Sequence, residues 1–291
     1  MTKAFTPATM DELAAALSRC TPNSRILAGG TDYVIRSRRT AEEPDVLVYL
    51  GGVPELGRIA FDGDMLRIGA MVTMSRTCDF LNNNNNASLA ALADAAGDVG
   101  SPQIRAKATP AGNLCNASPA GDLLPVALLF DAEVEILSAD GSLIRLPVKD
   151  FIVGPKKTAL TPEQAVTAVL VPLSPWQGWV SAFHKIGSRQ RVSIARESLA
   201  IAVLPAGDGT FAAARVTLGA VANTPIRVPE AEELLTGSRL DGKHLAALTE
   251  IIARTVHANC RPANRLYKTE AARGLAADTV SLLLERTGVQ L

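Results

Sequence analysis

The stretch ATPAGNLCNASPAGDLLP, residues 108–125, is the most unusual part of this 291-residue sequence. Three prolines, two glycines, two asparagines and one aspartate lie close together in it. We expect an irregular loop, because the stretch is too polar for a core strand and too interrupted for a helix. A shorter stretch, ILAGGTDYV at 26–34, also joins a strand-like start to turn-forming residues. We expect the two stretches to form two walls of one site.

The glycine pair in AGGTD, residues 28–32, follows the strand-like residues RILA. A strand that ends in this way leaves successive backbone N–H groups able to surround an anionic oxygen, and glycine permits the close approach. Residues 28–32 are therefore predicted to hold a phosphate, although an ordinary turn after a strand would have the same pattern. The three spaced glycines of a dinucleotide-binding fingerprint are missing, which disfavours a standard nicotinamide-binding Rossmann unit.

The longer stretch carries hydroxyl, amide and carboxylate side chains between its prolines and glycines. These polar residues are Thr109, Asn113, Ser118 and Asp122. A segment of this kind can surround a polyhydroxylated ligand. It can also be a surface turn whose Asn, Asp, Ser and Thr side chains cap the backbone.

Composition narrows the class of protein. The chain is 47% hydrophobic and 20% charged, so it can bury a core large enough for two domains or three subdomains. Twenty-nine basic residues balance 29 acidic ones, and the zero net charge disfavours a nucleic-acid partner. The first twenty residues are not an export signal and no apolar run reaches membrane-spanning length, so we expect a cytoplasmic protein.

The cysteines and histidines are scattered along the chain. The cysteines are Cys20, Cys78, Cys115 and Cys260, and the histidines are His184, His244 and His257. No C-x-x-C pair exists, so no zinc or iron–sulfur ligand set is indicated, and each cysteine is expected to be a small buried hydrophobe. No histidine lies beside a serine or cysteine in the sequence. A nucleophile and its base would therefore have to be residues that meet only in the folded protein.

Periodicity and turn residues predict mixed helices and strands. The N-terminal half has a helix in residues 6–20 with a Thr9–Glu12 capping box, strands at 25–28 and 45–50 joined by a polar connection, a hairpin at 58–70 and a helix at 88–97. Beyond the proline-rich stretch come a hairpin at 132–148, a strand at 165–173, a linker at 173–179, a hairpin at 198–221 and helices near 229–236, 241–257 and 265–287. The asparagine run at 82–86 is predicted to be a solvated surface loop.

Four motifs, in this order, resemble those of a known family. They are ILAGGTDYV (26–34), QIRAKATPAGNLCNASPAGDLLP (103–125), KKTALTPEQ (156–164) and FHKIGSRQRVSIA (183–195). Together they resemble the FAD-binding, or medium, subunit of molybdenum hydroxylases of the carbon monoxide dehydrogenase and xanthine dehydrogenase type. The resemblance extends over nearly the whole chain.

The resemblance implies an α+β fold. Residues 1–175 would form a two-part FAD-binding domain of the vanillyl-alcohol-oxidase/PCMH type, with a small α/β part at 1–57 and a strand-rich, mostly antiparallel part at 58–175. Residues 176–291 would form a C-terminal α+β domain of the flavoprotein subunit.

The resemblance also implies a set of FAD-contacting residues. They are Leu27, Ala28, Gly29, Gly30, Thr31, Asp32, Tyr33, Thr109, Gly112, Asn113, Asp122, Leu160 and Lys185. Backbone N–H groups of 28–32 would bind the pyrophosphate, Asp122 would bind ribityl or ribose hydroxyls, and Leu160 would lie against the isoalloxazine ring. Lys185 would lie near the flavin and favour its reduced, anionic form. A solvated strand position is the other interpretation of Lys185, and no catalytic residue is otherwise indicated.

Two positions depart from the family pattern. Ala111 stands where many relatives have a second consecutive glycine, which would limit how closely the backbone approaches the cofactor. Ser101, followed by Pro102, stands where histidine is frequent, so the role of residues 99–103 is left open.

The implied role is electron transfer within a complex. A large molybdopterin subunit would oxidise an organic substrate, a subunit with 2Fe–2S clusters would pass the electrons on, and FAD in this chain would deliver them to NAD or a quinone. The family implies a dimer of heterotrimers, with no metal held by this chain. Two other functions remain open: a non-catalytic nucleotide-binding or assembly protein, and a stand-alone flavin oxidase of the related fold.

Overall fold

The computed structural model describes residues 2–41, 43–189 and 192–288. In chain order the strands are β1 (Lys3–Phe5), β2 (Arg25–Leu27), β3 (Val46–Tyr49), β4 (Ile59–Asp62), β5 (Met65–Gly69), β6 (Glu133–Ser138), β7 (Leu143–Pro147), β8 (Ile152–Gly154), β9 (Lys157–Thr158), β10 (Gln164–Pro172), β11 (Val180–Gly187), β12 (Ala195–Pro205), β13 (Phe211–Gly219) and β14 (Ile226–Arg227). The α-helices are α1 (Met10–Leu17), α2 (Tyr33–Thr40), α3 (Met74–Asn83), α4 (Ala90–Asp98), α5 (Pro102–Arg105), α6 (Pro110–Asn116), α7 (Leu123–Leu129), α8 (Val148–Phe151), α9 (Pro229–Leu235), α10 (Gly242–Asn259) and α11 (Arg265–Thr287).

The chain forms two compact units, and each is assembled from three segments. Unit 1 comprises the described residues up to Thr77, Pro102–Ala117 and Asp131–Leu173. Unit 2 comprises Cys78–Ser101, Ser118–Phe130 and the described residues from Ser174 onward. The proline-rich stretch is therefore divided between the units after Ala117. The domain ranges 1–175 and 176–291 stay a prediction.

Unit 1 begins with a small parallel sheet in the order β1-β3-β2. The predicted strands at 25–28 and 45–50 correspond to β2 and β3, but the predicted polar connection between them is wrong, because it contains α2. This helix buries none of its residues, and it is short and rich in arginine, so it was interpreted as a polar connection. Strand β1 was not predicted either, since its three residues depend on pairing with β3.

The larger sheet of unit 1 is antiparallel, in the order β4-β5-β10-β6-β7. Both predicted Asp-Gly hairpins are confirmed, as β4–β5 and β6–β7. Their turn glycines, Gly63 and Gly141, have φ of +56° and +83°, which lie in the left-handed region that favours glycine.

The prediction of an irregular loop at 108–125 is wrong, because the stretch contains the short helix α6 and the first residues of α7. Thr109 is the N-cap of α6: its Oγ1 accepts a hydrogen bond from the Gly112 N–H at 3.0 Å. Pro110 follows at the first helical position. A backbone N–H there would have no acceptor within the helix, so proline loses no helical hydrogen bond. Ala117 ends α6 with a left-handed φ of +43°. The turn-forming residues therefore mark helix ends.

Unit 2 contains an antiparallel sheet in the order β11-β12-β13-β14. The predicted hairpin at 198–221 is confirmed as β12–β13, and the three predicted C-terminal helices are confirmed as α9, α10 and α11. Leu199, Ile201 and Val203 alternate along β12 and pack into one core with these helices. On the opposite face α7 contacts the sheet, where the Thr217 hydroxyl donates to the Pro125 carbonyl at 2.8 Å.

The chain passes from unit 1 to unit 2 after Leu173, within the predicted linker at 173–179, but part of this segment is packed into unit 2. Trp176 is buried in unit 2, where its ring lies edge-on to Phe130 at a centroid distance of 5.2 Å. The Arg215 guanidinium lies 4.9 Å from the centre of the Trp176 ring, and Trp176 Nε1 donates to the Phe130 carbonyl at 3.3 Å. The two tryptophans of the segment also contact each other, with ring centroids 4.9 Å apart.

The remaining predictions have mixed outcomes. The N-terminal helix and its cap are confirmed, since Thr9 Oγ1 accepts from the Glu12 N–H at 3.1 Å. Cys20 and Cys260 are buried as expected, whereas Cys78 and Cys115 are partly exposed. The start of the asparagine run lies in α3 rather than in a loop. In the part of the chain that the structure describes, no helix combines the length and apolarity needed to cross a membrane.

Candidate functional site

The first candidate segment joins a strand to a helix in unit 1. Strand β2 ends at Leu27, α2 begins at Tyr33, and the five residues 28–32 connect them. Gly30 has a left-handed φ of +67°, so it supplies the backbone conformation that turns the chain into the helix. Asp32 takes the N-cap position without a side-chain cap hydrogen bond. The segment therefore exposes backbone groups at the positive end of a helix dipole.

The backbone N–H groups of this segment are available to a ligand. Among the described residues, none accepts a hydrogen bond from the N–H of Gly29, Gly30, Thr31 or Asp32. The carbonyls of Gly30 and Asp32, by contrast, accept the first helical bonds, from Val34 at 3.0 Å and Arg36 at 3.1 Å. Consecutive donors at a helix N-terminus form the backbone arrangement that binds phosphate. We therefore name residues 28–32 the amide cradle.

Gly29 brings the amide cradle against the second predicted wall. A Cβ atom built on Gly29 would collide with the backbone carbonyl of Lys107, and no side chain fits between the two chain segments. The adjacent Ala108 carbonyl accepts a hydrogen bond from the Met74 N–H at 2.8 Å, which fixes this part of the backbone. The structure thus places Gly29 beside Lys107 and Ala108 within unit 1, while a shared ligand site of the two stretches stays a prediction.

The helix α6 orients the next predicted residues. Thr109 is almost fully buried, and its side-chain oxygen accepts from the Gly112 N–H in the first turn. Gly112 and Asn113 lie in this first turn and are partly exposed. Ala111 is buried, so its methyl group is directed into the protein interior. Leu160 follows β9 and is partly exposed. Cofactor contacts by these residues stay predictions.

Unit 2 contains the two remaining predicted residues, and they contact each other. Lys185, in β11, donates from Nζ to Asp122 Oδ2 at 2.7 Å. The same Nζ donates to the backbone carbonyl of Asp98 at 2.7 Å and lies 3.6 Å from Asp98 Oδ2. The side chains of Lys185 and Asp122 are only 3% and 8% exposed. The interpretation of Lys185 as a solvated strand residue is therefore wrong.

Asp122 has one oxygen with a partner and one without. Its Oδ2 accepts from Lys185, whereas its Oδ1 is buried and has no hydrogen-bond partner among the described residues. Burial raises the pKa of Asp122 to about 6, although the Lys185 ammonium opposes this rise by its charge and its hydrogen bond. A buried carboxylate oxygen without a donor is costly, so Oδ1 is suited to accept a hydrogen bond from a ligand hydroxyl.

Asp98 contacts Lys185, and the sequence analysis did not name it. It ends the alanine-rich helix α4, far from Asp122 and Lys185 in the sequence. No motif contains it, and its proximity to Lys185 arises only because α4 packs on β11. A charged residue at the end of an apolar helix was the one available signal, and it is too common to indicate a site.

The predicted residues therefore form two groups. Leu27–Tyr33, Thr109, Gly112, Asn113 and Leu160 belong to unit 1, and Asp122 and Lys185 belong to unit 2. The histidines contact neither group of predicted residues through a printed hydrogen bond: His244 pairs with Asp241, His257 with Thr269, and His184, next to Lys185 in β11, has its Nε2 atom 3.9 Å from Asp278 Oδ2.

Known families match the chain in two consecutive parts. Residues 1–174 match the FAD binding domain in molybdopterin dehydrogenase. The chain belongs to this family. Residues 182–281 match the CO dehydrogenase flavoprotein C-terminal domain. The family predicted from the sequence motifs is thus confirmed.

Relatives of this FAD-binding protein align along most of its length. The nicotinate dehydrogenase FAD-subunit of Eubacterium barkeri is 32% identical over 281 residues, which are 93% of this chain and 92% of that protein. The carbon monoxide dehydrogenase medium chain of Afipia carboxidovorans is 29% identical over 271 residues, with 91% of both chains covered. A chain of reconstituted CO dehydrogenase from Oligotropha carboxidovorans has a TM-score of 0.86 and 25% identity, with 98% of both chains covered. The predicted α+β fold is confirmed.

Proposed function

We propose that the chain is the FAD-carrying electron-transfer subunit of a heteromeric molybdenum-containing hydroxylase or dehydrogenase. The observation that carries this proposal is the amide cradle: four consecutive backbone N–H groups without a partner among the described residues, at the N-terminus of α2. Such a run of donors suits the two adjacent phosphates of a dinucleotide. The family supplies the identity of that dinucleotide, FAD.

The residues present fit FAD on chemical grounds. The amide cradle would hold the pyrophosphate, with Gly29 permitting close packing against Lys107 and Gly30 supplying the left-handed turn. Asp122 Oδ1, which is buried without a partner among the described residues, would accept a hydrogen bond from a ribityl or ribose hydroxyl. Leu160, which is partly exposed, would offer an apolar surface to the isoalloxazine ring.

The role in electron transfer depends on the cofactor and on partners. When bound, FAD exchanges electrons singly with iron–sulfur clusters and in pairs with NAD or a quinone. The chain's own residues bind and orient the cofactor, and they exclude water from the Asp122–Lys185 pair. We propose that the 2Fe–2S clusters and the molybdenum cofactor are carried by two partner subunits. The names of the relatives, an FAD-subunit and a medium chain of dehydrogenases, support this division.

The two other functions differ in their need for partners and for FAD. A stand-alone flavin oxidase would oxidise its substrate without another subunit. A non-catalytic nucleotide-binding or assembly protein would keep the fold without redox function. The amide cradle and the Asp122 oxygen without a partner among the described residues favour a chain that holds a cofactor over an assembly protein that holds none.

Purification of the tagged chain from cells that express its natural partners tests this proposal. We expect FAD, molybdenum and iron to co-purify with the chain in a fixed ratio. In anaerobic spectra, one of carbon monoxide, xanthine or nicotinate, the substrates named for relatives, is expected to bleach the flavin band of the complex but not that of the isolated chain. Bleaching of the isolated chain would favour the oxidase, and a complex without FAD would favour the assembly protein.

A further inference from the structure

The turn of residues 118–121, with the sequence SPAG, connects α6 to α7 and has a single distant anchor. Within the turn, the Gly121 N–H donates to the Ser118 carbonyl at 2.8 Å. Among the described residues, one hydrogen bond joins the turn to a segment distant in the sequence: the Ala220 N–H donates to the Pro119 carbonyl at 3.0 Å. The position of the turn in unit 2 therefore depends on Ala220.

Ala220 has an unusual backbone conformation. It directly follows β13, and its φ of +58° lies in the left-handed region, which a residue with a Cβ atom rarely adopts. Such a conformation persists only where the surrounding contacts fix it. Both backbone groups of Ala220 have partners, because its N–H binds Pro119 and its carbonyl accepts a hydrogen bond from Lys268 Nζ at 2.5 Å. Ala220 is therefore held between the turn and α11.

Lys268 lies near the start of α11 and binds the backbone of two strands. Besides the Ala220 carbonyl, its Nζ donates to the carbonyl of Arg196 in β12 at 2.6 Å. Burial lowers the pKa of Lys268, so an ammonium group in this place needs the two carbonyls as partners. The lysine thus joins the helix to one end of the β12–β13 pair.

The same end of β13 is packed against α7. A Cβ atom built on Gly219 would lie 2.7 Å from Pro125 Cγ, so no side chain fits between the strand and the helix. The Thr217 hydroxyl, one strand pleat earlier, donates to the Pro125 carbonyl. The helix α7 and the turn that precedes it are therefore both supported by β13, and Ala220 sets the position of the turn.

We propose that Lys268 is a positioning residue for FAD, which acts through Ala220 on the 118–121 turn. Lys268 fixes the Ala220 carbonyl, Ala220 in its left-handed conformation donates to Pro119, and the turn then holds one position relative to α7. The turn leads directly to Asp122, a candidate cofactor contact, so this inference rests on the proposed FAD function. It adds to the site a residue of the C-terminal helix that none of the four sequence motifs contains.

FAD titration of the full-length chain tests this inference, with urea unfolding of each variant measured beside it. We expect Lys268→Met to bind FAD about tenfold more weakly, because the turn would hold its binding position for only about a tenth of the time. A purely structural lysine would change the unfolding midpoint and leave the FAD affinity of the folded chain unchanged. Arg273→Met removes another cation of α11, which pairs with Glu250, and is the control that should keep wild-type FAD affinity.

Two variants of Ala220 test the second step. Valine disfavours the left-handed conformation and glycine permits it, so Ala220→Gly should bind FAD about tenfold more tightly than Ala220→Val. If Lys268 acts through Ala220, the double variant Lys268→Met/Ala220→Val should bind FAD about as tightly as the weaker single variant.

The charge of Lys268 also acts on the buried Glu197 carboxyl group. Lys268→Met/Glu197→Gln leaves no unpaired buried charge, and it should bind FAD as weakly as Lys268→Met. Recovery of wild-type affinity in this variant would assign the effect to the unpaired charge of Glu197 and overturn the inference.

Three further results decide between the inference and the proposed function. Wild-type FAD affinity in Lys268→Met would overturn the inference and leave the proposed function intact; Lys268→Gln, which is one atom shorter than lysine, replaces this variant if it does not fold. A loss of about a hundredfold in Lys268→Met/Ala220→Val would show that the two residues act independently, which also overturns the inference. A wild-type chain that binds no FAD would contradict the proposed function itself.

Discussion

Gly30 links backbone conformation to ligand binding within the amide cradle. Its φ of +67° is left-handed, and a side chain there meets only Val34, at 3.6 Å. We expect Gly30→Val to weaken FAD binding at least tenfold, because valine disfavours the left-handed conformation that aligns the N–H groups. The strain should also lower the free energy of unfolding by about 1–2 kcal/mol. FAD titration and urea unfolding measure the two effects.

Gly63 provides the matched control for Gly30. It has a φ of +56° in the β4–β5 turn, with no atom close to an added side chain. Gly63→Val should therefore lose similar stability and keep its FAD affinity. Equal FAD affinity in both variants would mean that Gly30 serves only the turn.

Glu197 is a buried acid outside both groups of candidate site residues. It is fully buried in β12, and neither carboxylate oxygen has a hydrogen-bond partner among the described residues. Burial raises the pKa of Glu197 to about 7, against the opposing charge of Lys268. The folded state thus binds the proton more tightly than the unfolded state. This acid therefore lowers stability progressively as the pH rises from about 4.5 through 7.

The substitution Glu197→Gln is expected to raise the free energy of unfolding at pH 8.5 by about 2–3 kcal/mol and to change it little at pH 5. The amide has nearly the same shape and carries no charge, so it should remove only the effect of ionisation. Urea unfolding at the two pH values measures the difference. An equal effect at both pH values would show that Glu197 stays protonated, or is paired, throughout this range.

At the scale of elements, the outer edge of β11 is protected by side chains. Asp94 Oδ2 accepts a hydrogen bond from the Phe183 N–H at 3.1 Å, and Arg286 Nη1 donates to the Ser181 carbonyl at 2.8 Å. Arg286 also forms two hydrogen bonds with Asp94, both at 2.7 Å. Among the described residues no strand pairs with β11 on this side, so these groups occupy positions where a neighbouring strand would bond, and we expect them to oppose pairing with another chain.

Arg286→Met should consequently destabilise the fold by roughly 2–4 kcal/mol, since it leaves Asp94 and the edge of β11 without their partner. We also expect self-association, which light scattering would detect. Arg254→Met removes an exposed pair with Glu230 and serves as the control, with an expected effect below about 1 kcal/mol. Equal stability of the two variants would contradict a protective role for Arg286.

Elements whose pattern is local were predictable, and those that depend on neighbours were not. The hairpins β4–β5 and β6–β7 carry Asp-Gly turns between apolar runs, and α10 and α11 have long apolar faces. Helix α2 buries no residue, so it has no apolar face packed on the core of the kind by which the other helices were predicted. The signals of α6 were present as Thr109 and Pro110, but the many turn-forming residues were interpreted as a loop.

At the scale of the whole molecule, the sequence named candidate residues of the site but not the contacts between them. The motif order named residues 28–32, Asp122 and Lys185 as candidates. The pairing of Asp122 with Lys185 and the contact of Lys185 with Asp98 could not be predicted. These residues lie in three separate segments of unit 2, and they meet only because α4, α7 and β11 pack together.

FAD titration of the purified full-length chain, with FMN in parallel, tests the proposed function most directly. If the amide cradle binds a pyrophosphate, FAD should bind at least about tenfold more tightly than FMN, which has a single phosphate. Fluorescence quenching of the flavin and isothermal calorimetry measure both affinities. A chain that stays free of FAD, or that binds FMN as tightly as FAD, would contradict the assignment of residues 28–32 to a dinucleotide.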